Sequence, residues 1–196
     1  MRLTSRFSDA LVYAASLHAY QKRKGGDVPY ISHLLCVSGI ALAHGADEDE
    51  AIAALLHDAI EDQGGAATGE AIRRQFGERV FGIVQECSDS MARDPAEKAP
   101  WHERKEAYLA HLRDASVSAR LISAADTLHN ASTLLADYRS MGEAVWARFN
   151  GGKQGTLWYY RSVVEILKQG GRTPLFEQLD RVVGELEVLA TARPDN

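Results

Sequence analysis

The sequence predicts an all-α protein, a single compact bundle of about nine helices, and three observations carry that prediction. Apolar residues recur at helical spacing in almost every segment. Glycine pairs and prolines punctuate the joints between those segments, and alternation of period two never persists beyond a few residues. With 196 residues the chain suits one domain with a substantial core. We therefore read 1–196 as one unit, with a motif-bearing core over about 8–168 and a closing helix over about 173–192.

The first helix is expected from about Ser8 to Tyr20, where Leu11, Val12, Ala15 and Ala19 share one side. A polar loop, Gln21 to Val28, leads to Pro29, which opens a second helix, Tyr30 to His44, closed by Gly45. Asp47 with Glu50 makes a capping-box pattern for a third, running unbroken through Leu55, Leu56, Ala59 and Ile60 to Gly64-Gly65. Gly69 to Phe76 and Glu78 to Cys87 follow, then a charged loop from Asp89 to Pro100. Trp101 to Leu112, Ser116 to Tyr138 and Thr156 to Lys168 are amphipathic, and Thr173-Pro174 starts the last helix, to about Ala192.

Composition narrows the function. Twenty-seven acidic and 22 basic residues give a net charge of −5, the wrong balance for a dedicated nucleic-acid binder. No apolar run approaches the roughly 20 residues that span a bilayer, and no signal peptide is evident, so a cytoplasmic location without membrane attachment is expected. Cys36 and Cys87 fall in apolar helical patterns and are expected as buried free thiols. Trp158-Tyr159-Tyr160 reads mainly as core, with stacking on a ligand as the sharper alternative.

Two polar clusters interrupt otherwise apolar helices. In His57-Asp58-Ala59-Ile60-Glu61-Asp62, four ionisable groups stand within six residues, costly to bury without a partner. In the second, Asp126, Asn130 and Thr133 stand at i, i+4 and i+7, one polar stripe that needs a ligand or water to face. With His33, four residues past Pro29, these segments supply two histidines and two carboxylates. Such a mixed set favours Mn²⁺, Fe²⁺ or Zn²⁺ over Mg²⁺ or Ca²⁺ and leaves positions for water and substrate. Glu61, one turn beyond His57, is placed to orient or deprotonate that water.

Taken together these motifs resemble the HD phosphohydrolase superfamily, whose mark is the adjacent His-Asp pair, and more narrowly the RelA/SpoT-type hydrolase domain and the small alarmone hydrolases. The resemblance runs from about Leu11 to Leu167 through Gln21-Lys22-Arg23-Lys24, Pro29-Tyr30-Ile31-Ser32-His33, His57-Asp58-Ala59-Ile60-Glu61-Asp62, Glu103-Arg104-Lys105 and Ala125-Asp126-Thr127-Leu128-His129-Asn130. It implies an HD-domain helical bundle that uses Mn²⁺ to remove the 3′-pyrophosphate of (p)ppGpp or (p)ppApp. By the same resemblance His33, His57, Asp58 and Asp126 hold the metal, and Glu61 and Asp62 serve the attacking water. Arg23, Lys24, Arg104 and Lys105 then face phosphates, and Asn130 and Thr133 line the nucleoside pocket. Leu34, Gln63, Ser123 and Thr127 depart from the usual pattern without removing a ligand, and they leave guanine or adenine preference open. A nucleotidase or NADPH phosphatase on the same scaffold, and a silent nucleotide-binding module, are the competing readings. Only one helix follows Leu167, so alarmone synthesis is not expected.

Overall fold

A computed structural model describes residues 2–89 and 99–192. Helices α1 (Ser5–Leu17), α2 (Ile31–Ala43), α3 (Glu48–Leu56), α4 (Ala59–Asp62), α5 (Ala66–Phe76) and α6 (Glu78–Cys87) form the first half. The second half contains α7 (Trp101–Asp114), α8 (Val117–Met141), a 3₁₀ segment (Gly142–Arg148), α9 (Gly152–Gln169) and α10 (Pro174–Ala192). Among the described residues no strand forms, only an isolated bridge between Lys22 and Pro29. Residues 90–98, most of the loop expected over Asp89 to Pro100, lie outside the described residues.

Local chemistry sets the boundaries. The Thr4 side chain accepts from the Arg6 N–H and starts α1 three residues before the expected Ser8; the helix ends at Leu17, short of the expected Tyr20, which is fully exposed. The capping box of Asp47 and Glu50 forms as expected at the start of α3. Gly77, at φ +94, joins α5 to α6 in a backbone region that side chains rarely adopt. Ser116 caps α8 by accepting from the Ala119 N–H.

One expectation changes at a decisive place. The third helix is not continuous: α3 ends at Leu56, and His57-Asp58 form a turn before the short α4. The His57 ring explains part of this, because its Nδ1 lies 2.8 Å from the Ala54 carbonyl in the last turn of α3. A carbonyl only accepts, so Nδ1 carries the proton and donates. The ring thereby satisfies a helix-end acceptor and turns its other nitrogen toward Asp58 and Asp126.

Two apolar clusters make up the core, and α8 belongs to both. The first packs α2, α3 and α6 through Leu34, Ile52, Leu56 and Val84, with Ile122 and Ala125 from α8. The second packs α7, α9 and α10 against Leu128, Leu135 and Tyr138 of α8. Ala125 in one cluster and Leu128 in the other flank Asp126, so the seam between clusters falls at a carboxylate. Ile52 is fully buried in the first cluster away from the polar groups. Ile52→Ala should cost about 2–5 kcal/mol through lost burial and a residual cavity, read as a lower urea midpoint at unchanged slope.

The thiols differ from expectation: Cys36 is exposed and Cys87 partly buried, because α2 turns Leu34 and Val37 inward and leaves Leu35 and Cys36 outside. Among the described residues no helix is long and apolar enough to cross a membrane.

Candidate metal centre

Side chains from α2, the α3–α4 turn and α8 converge at the seam. The ligand atoms of His33, His57 and Asp58 all lie within 4.8 Å of one another. Asp126 stands outside that mutual trio but reaches both rings: its Oδ1 is 3.1 Å from His33 Nε2 and 3.6 Å from His57 Nε2. Asp58 Oδ2 lies 3.5 Å from His33 Nε2 and 3.0 Å from His57 Nε2. The break at His57-Asp58 lets both side chains turn toward the same point as His33 and Asp126.

Buried ring nitrogens without partners mark the point where these side chains meet. Both Nε2 atoms are buried and make no geometrically sound hydrogen bond among the described residues, despite the nearby carboxylates. His57 Nδ1 donates to the Ala54 carbonyl, and although burial opposes charge on the ring, the facing Asp58 and Asp126 carboxylates push its pKa well above the ordinary imidazole range. His33 Nδ1 lies 2.8 Å from His129 Nδ1, and burial, with the charge of His33 next, pushes the His129 imidazole down to about 4. The Nδ1–Nδ1 contact holds the His33 ring so that its Nε2 faces Asp58 and Asp126. Two orphaned imidazole nitrogens and two carboxylates are a donor set that a divalent metal fits. Burial works against charge on Asp58 and Asp126, yet the facing histidines hold both carboxyls below their usual range.

Further residues brace this set, and sequence reasoning missed them. The Tyr30 hydroxyl donates to Asp58 Oδ2 at 2.6 Å, and the buried His18 ring stacks on Tyr30 at 5.3 Å. His18 also meets Gln21, whose amide donates to Asp62 at 2.7 Å. The signal for Tyr30 was its place three residues before His33, one turn away on the opening of α2. Tyr30→Phe should weaken metal binding roughly tenfold while leaving the fold intact, as measured by competition with a fluorescent chelator.

The centre opens into a pocket of about 690 Å³ that Asp58, Asp126, Glu61 and Asp62 help to line. Arg23, Lys24, Lys105, Asn130 and Thr133 also line it, and Arg104 does not. Arg23 donates to Asn130 Oδ1 at 2.7 Å, and Asn130 donates to Asp126 at 2.6 Å, so the basic loop and α8 are tied together. Arg104 instead pairs with Asp89 and, at 3.3 Å, with Glu61. Burial, and then the charge of Asp89, push the Glu61 carboxyl up to about 7. Trp158 lies away from the pocket, stacked on His102 at 4.6 Å, whereas Tyr159 and Tyr160 line it. Trp101 and Arg148, which the sequence did not single out, line it too. Trp101 rests against Gly151 and Gly155, where an added Cβ would approach its ring to 2.6 Å and 3.0 Å.

All-helical among the described residues, with a mixed nitrogen and oxygen donor cluster that could hold a metal ion beside a basic, aromatic pocket, the molecule has the arrangement of a metal-dependent helical hydrolase. The family model described as an HD domain matches residues 10–157, and the chain belongs to that family. It is 32% identical over 179 residues to the Xenopus tropicalis guanosine-3′,5′-bis(diphosphate) 3′-pyrophosphohydrolase MESH1, covering 89% of this chain and 90% of that protein. The Drosophila melanogaster MESH1 is 35% identical over 130 residues, covering 65% of this chain and 68% of its own. Among solved structures, one described as a metazoan ortholog of SpoT that hydrolyzes ppGpp superposes with a TM-score of 0.74 at 29% identity, covering 95% of this chain and 98% of that one.

Proposed function

We propose that this protein hydrolyses the 3′-pyrophosphate of guanosine 3′,5′-bis(diphosphate) and related alarmones, releasing pyrophosphate, with Mn²⁺ as the metal of His33, His57, Asp58 and Asp126. The observation that carries the reading is the convergence of those four side chains at the floor of a pocket shared with Glu61, Asp62, Arg23 and Lys24. The relatives named for this reaction support it.

The bound cation supplies positive charge that polarises a phosphoryl oxygen and makes water more acidic. The chain's own groups do the rest. Glu61 takes the proton of the attacking water, and Asp62, anchored by Gln21, keeps the water in line. Attack at the phosphorus joined to the ribose 3′-oxygen breaks that P–O bond; the 3′-oxygen takes a proton and pyrophosphate departs. Arg23, Lys24 and Lys105 offset charge on the departing group. Asn130 and Thr133 face the nucleoside, and Tyr159 or Tyr160 offers a ring to the base.

Product analysis tests this. Mn²⁺-loaded protein is incubated with ppGpp, ppApp, NADPH and deoxynucleoside monophosphates, and pyrophosphate and orthophosphate are measured separately. Pyrophosphate from ppGpp is expected. Release of orthophosphate but never pyrophosphate refutes the proposal.

A further inference from the structure

The mechanism above leaves unexplained a buried ion cluster behind Glu61. Asp89, two residues past the end of α6, has a side chain only 3% exposed. One of its oxygens meets Arg104 Nη1 at 2.5 Å and the other meets Lys105 Nζ at 2.8 Å. Arg104 Nη1 in turn lies 3.3 Å from Glu61 Oε1. Arg104 thus links α7 to α4 through Glu61, and the Asp89 carboxylate, in hydrogen-bond contact with Glu61 as well, ties this pair to the end of α6.

A chamber of about 40 Å³ lies between this cluster and the metal ligands, lined by His57, Asp58 and Asp126 together with Glu61, Asp89 and Lys105. It is polar and roomy enough for ordered water. Lys105 lines both this chamber and the large pocket, and its Nζ sits 4.8 Å over the Tyr159 ring. The ammonium therefore stands between Asp89 on one side and the substrate space on the other.

A buried ion cluster is a poor device for stability, because desolvation of the charges offsets most of their attraction. This one instead occupies the wall of the hydrolytic chamber. We propose that Asp89 is a positioning residue for the reaction: by holding Lys105 and Arg104 together it fixes where Glu61 meets the attacking water and where the Lys105 charge meets the phosphates. The inference rests on the hydrolytic reading of Glu61 given above. In this role Asp89 acts through Lys105, Arg104 and Glu61 rather than on the reacting atoms.

The test uses full-length, Mn²⁺-loaded protein and ppGpp, with rates expressed per folded, metal-bearing chain. Asp89→Asn keeps the shape and removes the charge. It should lower kcat roughly 100-fold with KM little changed, because a small misplacement of a reacting group costs about that much. Asp89→Glu, which restores the charge, should recover part of the loss. Lys105→Met should lower kcat as well, and the Asp89→Asn/Lys105→Met pair should lose less than the two single losses multiplied.

Silence of the wild type would sink the hydrolytic reading itself. A wild type that releases pyrophosphate beside an equally active Asp89→Asn would sink this inference alone. Should Asp89→Asn not fold, Asp89→Glu and Lys105→Met decide: wild-type kcat in both overturns the proposal, and a kcat-specific fall in both supports it.

Discussion

Asp58→Ala protein should keep its helical content and lose both its metal and its turnover. Asp58 Oδ2 is the oxygen nearest His57 Nε2, at 3.0 Å, and it also receives the Tyr30 hydroxyl. Removing it leaves two imidazoles and one carboxylate, the last not within mutual reach of the whole trio. The remaining set has less charge to offset a dication and a donor, Tyr30, without its acceptor. Metal contributes several kcal/mol to charge stabilisation in the transition state, so at about 1.4 kcal/mol per factor of ten the rate should fall roughly 10³-fold. Metal content by elemental analysis and helicity by circular dichroism separate this from unfolding. Mn²⁺ should raise the melting temperature of the wild type and leave that of Asp58→Ala unmoved, since only a ligand that binds the folded state stabilises it. A variant that retains stoichiometric metal and near-normal turnover would remove Asp58 from the centre.

Most of the helical architecture was legible because burial writes a 3.6-residue period into sequence, and the joints carry glycine, proline or a capping residue. The clusters around His57 and Asp126 were legible for the opposite reason: polar groups that break an apolar pattern need a partner. What stayed hidden depends on tertiary placement. The apolar spacing of Leu55, Leu56, Ala59 and Ile60 continues through the break at His57-Asp58, so periodicity alone reads one helix where α3 and α4 are two. The support of Tyr30 by His18 runs across a loop whose path no local signal dictates. The family resemblance sets Arg104 and Lys105 beside phosphates, and only the fold reveals Asp89 between them. Trp101 reaches the pocket because Gly151 and Gly155, some fifty residues on, leave room for its ring.

Glu61→Gln should be the most selective lesion, lowering kcat by roughly 10²- to 10⁴-fold with metal still bound and KM little changed. The amide preserves size and hydrogen bonding and cannot take a proton. In the wild type, burial and then the Asp89 charge raise the Glu61 carboxyl to about 7, above its ordinary 4.5. A base must be ionised to act, so kcat should climb with rising pH through that region and level off above it. The direction follows from the shift: below about 7 the carboxyl carries a proton and is idle, above it the carboxylate is free. A bound dication attracts the carboxylate form and draws the acid limb toward lower pH, without reversing its sign. In Glu61→Gln this limb should vanish, leaving a low rate that is flat across neutrality. A pH profile measured at saturating ppGpp and Mn²⁺, for wild type and variant side by side, checks both the magnitude and the lost limb. If the variant kept the limb, the titrating base would be another group, and Asp62, tied to Gln21 at 2.7 Å, would be the next to replace.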